Sequence, residues 1–203
     1  MSKYLWLIDS GHSGNKADGT YLTAPAKMYE HSPSEIFYEG VFNRQIKTLL
    51  LSMLWDEDID VIDVCPTELD LPLDVRVNII NSIYKKYGNA VLISLHSNAG
   101  GGTGFEVWTS YGQTRSDKFA SVLGAQFVRD FPDIKLRTDT SDGDIDKEAA
   151  FYILKNSRCP AVLPECLFFD NYNDYLLLDN PDFRIAYAQT LVRFIQKAET
   201  MDI

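Results

Sequence analysis

Three residues far apart in the chain are of types that bind a transition metal, and each stands at the edge of an apolar run. His12 closes Tyr4-Leu5-Trp6-Leu7-Ile8-Asp9-Ser10-Gly11-His12, Glu39 opens Glu39-Gly40-Val41-Phe42-Asn43, and His96 follows Val91-Leu92-Ile93-Ser94-Leu95. The first and third sit where a buried strand should end, and the second where an amphipathic helix should begin. In an open α/β sheet the carboxyl ends of the strands line the ligand crevice. Two imidazoles and a carboxylate meeting there make a catalytic zinc set with a fourth position open to water. Glu165, at the end of Pro160-Ala161-Val162-Leu163-Pro164-Glu165, is placed to face the same crevice. Its bulky neighbours Leu167, Phe168 and Phe169 raise a carboxyl's pKa, which suits a general base or acid near neutrality.

Each residue also has a plainer reading. His12, between Gly11 and Ser13-Gly14, could cap a turn, and Ser94, Ser97 and Asn98 around His96 could be strand-end turn chemistry. Glu39 could be a carboxylate favoured by a helix N-terminus. Glu165 could be structural, paired for example with Arg76, itself an ordinary helix-surface cation on the plain reading. Their coincidence at one crevice edge favours chemistry.

The elements that must position them alternate. Strand patterns cover Tyr4 to Ile8, Ile59 to Val64, Ala90 to Leu95, Gly104 to Thr109 and Cys159 to Leu163. Helical spacing covers Val41 to Trp55, Leu73 to Tyr87, Ser116 to Asp130 and Phe183 to Lys197. Strands separated by helices imply βαβ units, hence an α/β fold with a mostly parallel twisted sheet, helices on both faces and the zinc site at the carboxyl ends of the strands. Two stretches fit poorly. Ser13 to Ser34 is polar and aperiodic, and Lys135 to Asp146 is rich in aspartate; long loops of this kind are usually lids or disordered. Asp142-Gly143-Asp144-x-Asp146 has part of a calcium-loop spacing but not that of an EF-hand, so a solvated acidic loop is expected.

With 203 residues, no repeats and no linker, residues 1–203 read as a single catalytic domain able to bury a full core. A net charge of −10 argues against nucleic acid as the main partner. No apolar run is long enough for a membrane span. No signal peptide is visible, so synthesis in the cytoplasm is expected. Cys65, Cys159 and Cys166 are not spaced as a zinc ribbon and read as reduced and mostly buried; Cys166 beside Glu165 is the one alternative for a reactive thiol.

The order Ile8-Asp9-Ser10-Gly11-His12, Glu39 with Asn43, Arg76 and Asn81, Ser94-Leu95-His96-Ser97-Asn98, then Leu163-Pro164-Glu165 with Asn171 resembles the zinc-dependent N-acetylmuramoyl-L-alanine amidases of the type 3 family. The resemblance runs from Tyr4 to about Ile195. It implies that His12, Glu39 and His96 bind zinc and that Glu165 is the catalytic carboxylate. It also implies a peptidoglycan substrate, cut at the amide between N-acetylmuramic acid and L-alanine. Arg76 and Asn98 are expected around the centre or against substrate, with Arg76 orienting a ligand. Two departures stand out. The family's Asp-Pro-Gly-His-Gly is Asp9-Ser10-Gly11-His12-Ser13 here, and the stretch from His12 to Glu39 is longer than usual. The longer stretch makes Glu30, His31 and Glu35 rival ligands; Glu39 is preferred because Asn43 and the helix after it match the family in register.

A domain without wall-binding repeats resembles phage-type lysins and some Bacteroidetes amidases, which implies a monomer reaching the wall by phage-type release or another export route. The competing classes are a peptidoglycan-binding relative without catalysis and a different zinc hydrolase, such as a peptidase or a deacetylase.

Overall fold

A computed structural model describes residues 2–141 and 143–203. The chain runs β1 (Leu5–Ser10), β2 (Met28–Ser32), β3 (Glu35–Tyr38), α1 (Glu39–Leu54), β4 (Val61–Asp63), α2 (Leu73–Tyr87), β5 (Ala90–Asn98), β6 (Glu106–Thr109), α3 (Arg115–Asp130), β7 (Lys147–Glu148), α4 (Tyr152–Asn156), β8 (Ala161–Phe168), α5 (Tyr172–Asp179) and α6 (Pro181–Glu199). The main sheet has 6 strands in the order β4-β1-β5-β8-β6-β7. Strands β4, β1, β5 and β8 are parallel, and β6 is antiparallel to β8. The expected mostly parallel α/β sheet is therefore present. No helix among the described residues is long and apolar enough to cross a membrane.

Alternate residues of each central strand feed opposite faces, because strand side chains alternate with a period of two. Trp6, Ile8, Ile93 and Val162 face the larger core with Phe42 and Ile46 of α1, Phe119 and Phe127 of α3, and Tyr187 and Phe194 of α6. Leu7, Leu92, Ala161 and Leu163 face the smaller core, covered by Val77 and Ile80 of α2 and Ile153 and Leu154 of the short α4. On that second face, toward the carboxyl ends of the strands, Asp9, Ser94, His96 and Glu165 replace apolar side chains with polar ones.

Three expectations need correction. The Ser13–Ser34 stretch is not aperiodic throughout: it contains β2, which pairs with β3 as an antiparallel hairpin leading straight into α1. The strand expected to end at Leu163 continues to Phe168, so Glu165 lies within β8 rather than at its end. Pro164 does not stop it, since a proline is tolerated where its missing N–H is not needed by the ladder. The Lys135–Asp146 segment is solvated only in its middle, where residues 138–141 and Gly143 are exposed, and is anchored at both ends. Phe105 N donates to Lys135 O at 2.8 Å and Arg137 N to Phe105 O at 2.8 Å, and Asp146 is 1% exposed. Asp142 of the calcium-like fragment lies outside the described residues.

Candidate metal centre and catalytic carboxylate

His12 leaves the end of β1 with a φ of 64°, in the left-handed region, where histidine is found more often than most side chains. Its backbone is gripped from α2. Arg76 Nη2 donates to the His12 carbonyl at 3.1 Å, and Nη1 donates to Ser10 O at 2.6 Å and to Asp9 Oδ1 at 2.7 Å. Asp9 Oδ2 accepts from Ser94 Oγ of β5 at 2.7 Å. Arg76 thus pairs with Asp9, and at the surface side with Asp70 at 3.2 Å, not with Glu165. It is a fully buried side chain, so the helix-surface reading does not hold. Gly11 completes the approach: a Cβ there would collide with the His96 ring.

Glu39 is the first residue of α1 and is 1% exposed. Its N–H donates to Lys27 O at 3.0 Å, which ties the helix start to the segment before the hairpin. Gly40 packs so closely on the Ser13 backbone that no side chain fits. Glu39 Oε1 lies 2.9 Å from His96 Nδ1 and 3.2 Å from His12 Nε2. The two rings are 5.0 Å apart at 84°. One ligand atom from each of His12, Glu39 and His96 falls within 4.8 Å of the others. His12 Nε2 and Glu39 Oε2 are buried without a hydrogen-bond partner among the described residues. Two imidazoles and a carboxylate, two of whose shielded atoms lack hydrogen bonds, fit a zinc ion by ligand type and number. Burial pushes the Glu39 carboxyl up, but its close contacts with the two imidazoles and their charge outweigh it and hold the group below its usual range. For His96, burial acts downward and is outweighed by the bond to Glu39 and its charge, so the imidazole is raised.

Glu165 stands opposite His96 in the β5–β8 pairing. One of its oxygens is shielded and has no hydrogen-bond partner among the described residues. Burial is the main cause pushing its carboxyl up, to about 8, against the opposing charge of His96. Just beyond it, β8 carries a bulge: its register with β5 shifts between His96 and Asn98, and Leu167 takes a φ of 61°. The extra residue turns Leu167 into the same core as Cys166, leaving Glu165 on the crevice side, a common use of bulges beside sites. A cavity of about 290 Å³ opens between His12, His96, Arg76 and the Leu71–Leu73 turn.

The rival ligands lie elsewhere. Glu30 is exposed on β2. His31 Nε2 is 2.9 Å from Phe169 O and its ring packs on Tyr29 and Tyr175. Glu35 accepts from Tyr172 Oη at 3.0 Å and from Ser32 Oγ at 2.8 Å. Asn43 Nδ2 donates to Gly11 O at 3.2 Å, bracing the His12 turn from α1. Asn98 turns away from the three metal-type residues: its Nδ2 donates to Glu106 Oε2 at 2.8 Å. Asn81 joins α2 to the turn after α4, and Asn171 caps α5. The three cysteines are free and buried, and burial raises the Cys166 thiol well above its usual value.

Residues not singled out in the sequence join the site. Asp9 stood in the sequence only as the first residue of the motif around His12, with no role given to it. Lys27 Nζ lies 3.9 Å from Glu39 Oε2. Glu106, a buried carboxylate inside Phe105-Glu106-Val107-Trp108, stands opposite Glu165 on the other side of β8. An acidic residue in an otherwise apolar strand was the available signal.

A mostly parallel sheet with helices on both faces thus places a His-Glu-His cluster that could hold a metal ion beside the buried carboxyl of Glu165. Residues 7–197 match the N-acetylmuramoyl-L-alanine amidase family, to which the chain belongs. It is 30% identical over 191 residues to N-acetylmuramoyl-L-alanine amidase CwlM of Bacillus licheniformis, covering 92% of this chain and 64% of that one. It is 27% identical over 203 residues to the sporulation-specific N-acetylmuramoyl-L-alanine amidase of Bacillus subtilis (strain 168), covering 95% of this chain and 67% of that one. The chain thus spans about two thirds of the length of these relatives. In fold it resembles the crystal structure of an N-acetylmuramoyl-L-alanine amidase from Clostridium difficile 630, with a TM-score of 0.77, 23% identity and 100% of both chains covered.

Proposed function

We propose that the chain hydrolyses the amide between the lactyl group of N-acetylmuramic acid and L-alanine in peptidoglycan, with zinc held by His12, Glu39 and His96. The observation that carries this reading is the convergence of those side chains, with His12 Nε2 and Glu39 Oε2 shielded and without hydrogen bonds among the described residues, beside the buried carboxyl of Glu165. Family membership supplies the bond that is cut.

When bound, zinc supplies Lewis acidity, which polarises a carbonyl oxygen and makes water more acidic. The chain's own residues do the rest. Glu165 takes a proton from the attacking water and returns it to the leaving amine of L-alanine, a role for which a carboxyl raised toward neutrality is suited. Arg76 is a positioning residue: by holding the His12 carbonyl and Asp9 it fixes where the His12 ring points. Asp9 does the same for β5 through Ser94. Glu39, gripped at its N–H by Lys27, is placed before any ligand arrives, which favours a well-ordered site.

Mass spectrometry of purified peptidoglycan after digestion tests the reading. Free stem peptides beginning with L-alanine, together with peptide-free glycan, are expected, and a chelator should abolish both. Fragments cut within the peptide or deacetylated sugars would assign a different zinc hydrolase. Unchanged wall with zinc-loaded protein would assign a binding role.

A further inference from the structure

His96, Glu165 and Glu106 form one row across β5, β8 and β6, because Glu165 is paired with both of the others. Paired residues on neighbouring strands share a face. The row of carboxylates therefore extends one strand past Glu165, with Glu106 at its far end. Glu106 is 2% exposed and its acceptor capacity is taken up. Oε1 receives Arg137 Nε at 2.6 Å and Lys147 Nζ at 2.8 Å, while Oε2 receives Asn98 Nδ2 at 2.8 Å and Trp108 Nε1 at 2.9 Å. Burial raises this carboxyl, but hydrogen bonds from Lys147 and Arg137 outweigh it and keep it ionised.

One carboxylate held by two cations leaves the group with a surplus positive charge, in a chain whose net charge is −10. The cations are fixed rather than waving in solvent. The Arg137 guanidinium lies 5.1 Å from the centre of the Phe168 ring and Lys147 Nζ lies 4.8 Å from that of Trp108. Their side chains stay 33% and 23% exposed. Among the described residues the two Nη nitrogens of Arg137 have no hydrogen-bond partner, so one edge of its planar fork is free to receive a carboxylate in two-point fashion. Arg137 comes from the Lys135–Asp146 segment, whose backbone pairing with Phe105 sets its position.

We propose that Arg137 and Lys147 form a carboxylate-binding subsite that receives an acidic group of the peptide half of the substrate. The proposal rests on the amidase reading above. Of the two halves joined by the scissile amide, the peptide is the one that ends in a carboxylate wherever its terminus is free, and a guanidinium fork selects for that group over the hydroxyls of a sugar. Glu106, Asn98 and Trp108 are positioning residues for the two cations.

The test uses zinc-loaded protein and two soluble muramoyl peptides, one with free carboxylates and one with those groups amidated. Arg137→Gln should raise KM for the free acid by about tenfold or more, the scale of one charge-assisted hydrogen bond. Its kcat should fall far less, its zinc content should match the native protein, and KM for the amidated peptide should move little. Lys147→Met should show the same pattern and serves if Arg137→Gln does not fold. Added salt should raise KM of the native protein for the free acid alone. An equal KM change on both substrates, or a loss confined to kcat, would overturn the subsite and leave the cations as mere supports for Glu106. If the native protein cleaves neither substrate, it is the amidase reading that fails. Calorimetric titration of the free peptide then decides the subsite: weaker binding to Arg137→Gln than to native supports it, and equal binding overturns it.

Discussion

Arg76 Nη1 lies 2.7 Å from Asp9 Oδ1, and both side chains are buried. The same guanidinium donates to the carbonyls of Ser10, His12 and Leu71. One helix side chain therefore sets the path of the chain as it leaves β1 and brings His12 toward Glu39 and His96. The sheet's edge chemistry and the proposed metal centre are coupled through this one cation.

Replacing Arg76 with Met should cost about 3–5 kcal/mol of stability, because it strands the buried Asp9 carboxylate and several carbonyls. Arg76→Lys should recover only part of this, since an ammonium lacks the planar fork. Urea denaturation of the three proteins checks the order native, Lys, Met. Equal midpoints would show that the pair contributes nothing net.

Metal content should separate the ligands from their rivals. His12→Ala, Glu39→Ala and His96→Ala should each lose most bound zinc. Glu30→Ala, His31→Ala and Glu35→Ala should keep it, the last two weakening instead the contacts of the β2–β3 hairpin with Phe169 and Tyr172. Elemental analysis of dialysed protein reads this directly. Zinc loss confined to Glu30→Ala or Glu35→Ala would move the third ligand into the hairpin.

The mostly parallel sheet was legible because its central strands are apolar runs of the length that buried parallel strands need. His12, His96 and Glu165 stood out for the same reason: each is a polar residue where such a run closes. The hairpin was not. Met28-Tyr29-Glu30-His31-Ser32 is exposed or half-buried along its length, so no two-residue alternation marks it. Pro164 hid the second half of β8. Asp9 and Glu106 were missed because a strand carboxylate shows its role only through partners distant in sequence: Arg76 and Ser94 for one, Arg137 and Lys147 for the other. The link from Arg137 to Glu106 also explains why the aspartate-rich segment looked like a solvated loop. Its packing on β6 depends on single residues, not on a pattern.

Asp146 gives a pH signature. Burial is the main cause raising its carboxyl from 3.8 to about 7, with Asp144 and Asp117 adding to it and the hydroxyl of Thr109 opposing it. The folded protein therefore keeps a proton that the unfolded chain gives up near pH 4. Stability contributed by this group is complete below the unfolded value and falls as pH rises toward about 7. Thermal unfolding across that range should show a decline that Asp146→Asn flattens. An identical slope in the variant would remove Asp146 as its source.

In the proposed reaction Glu165 moves the proton at a metal centre it does not itself hold. The most direct measurement is the turnover of Glu165→Gln, loaded with zinc, on a soluble muramoyl peptide. A general base of this kind contributes ~10²–10⁴-fold to rate. The account predicts a loss of that size with zinc content and unfolding midpoint close to native. Near-native turnover would contradict it and make Glu165 structural. Loss of zinc along with activity would instead make Glu165 a ligand.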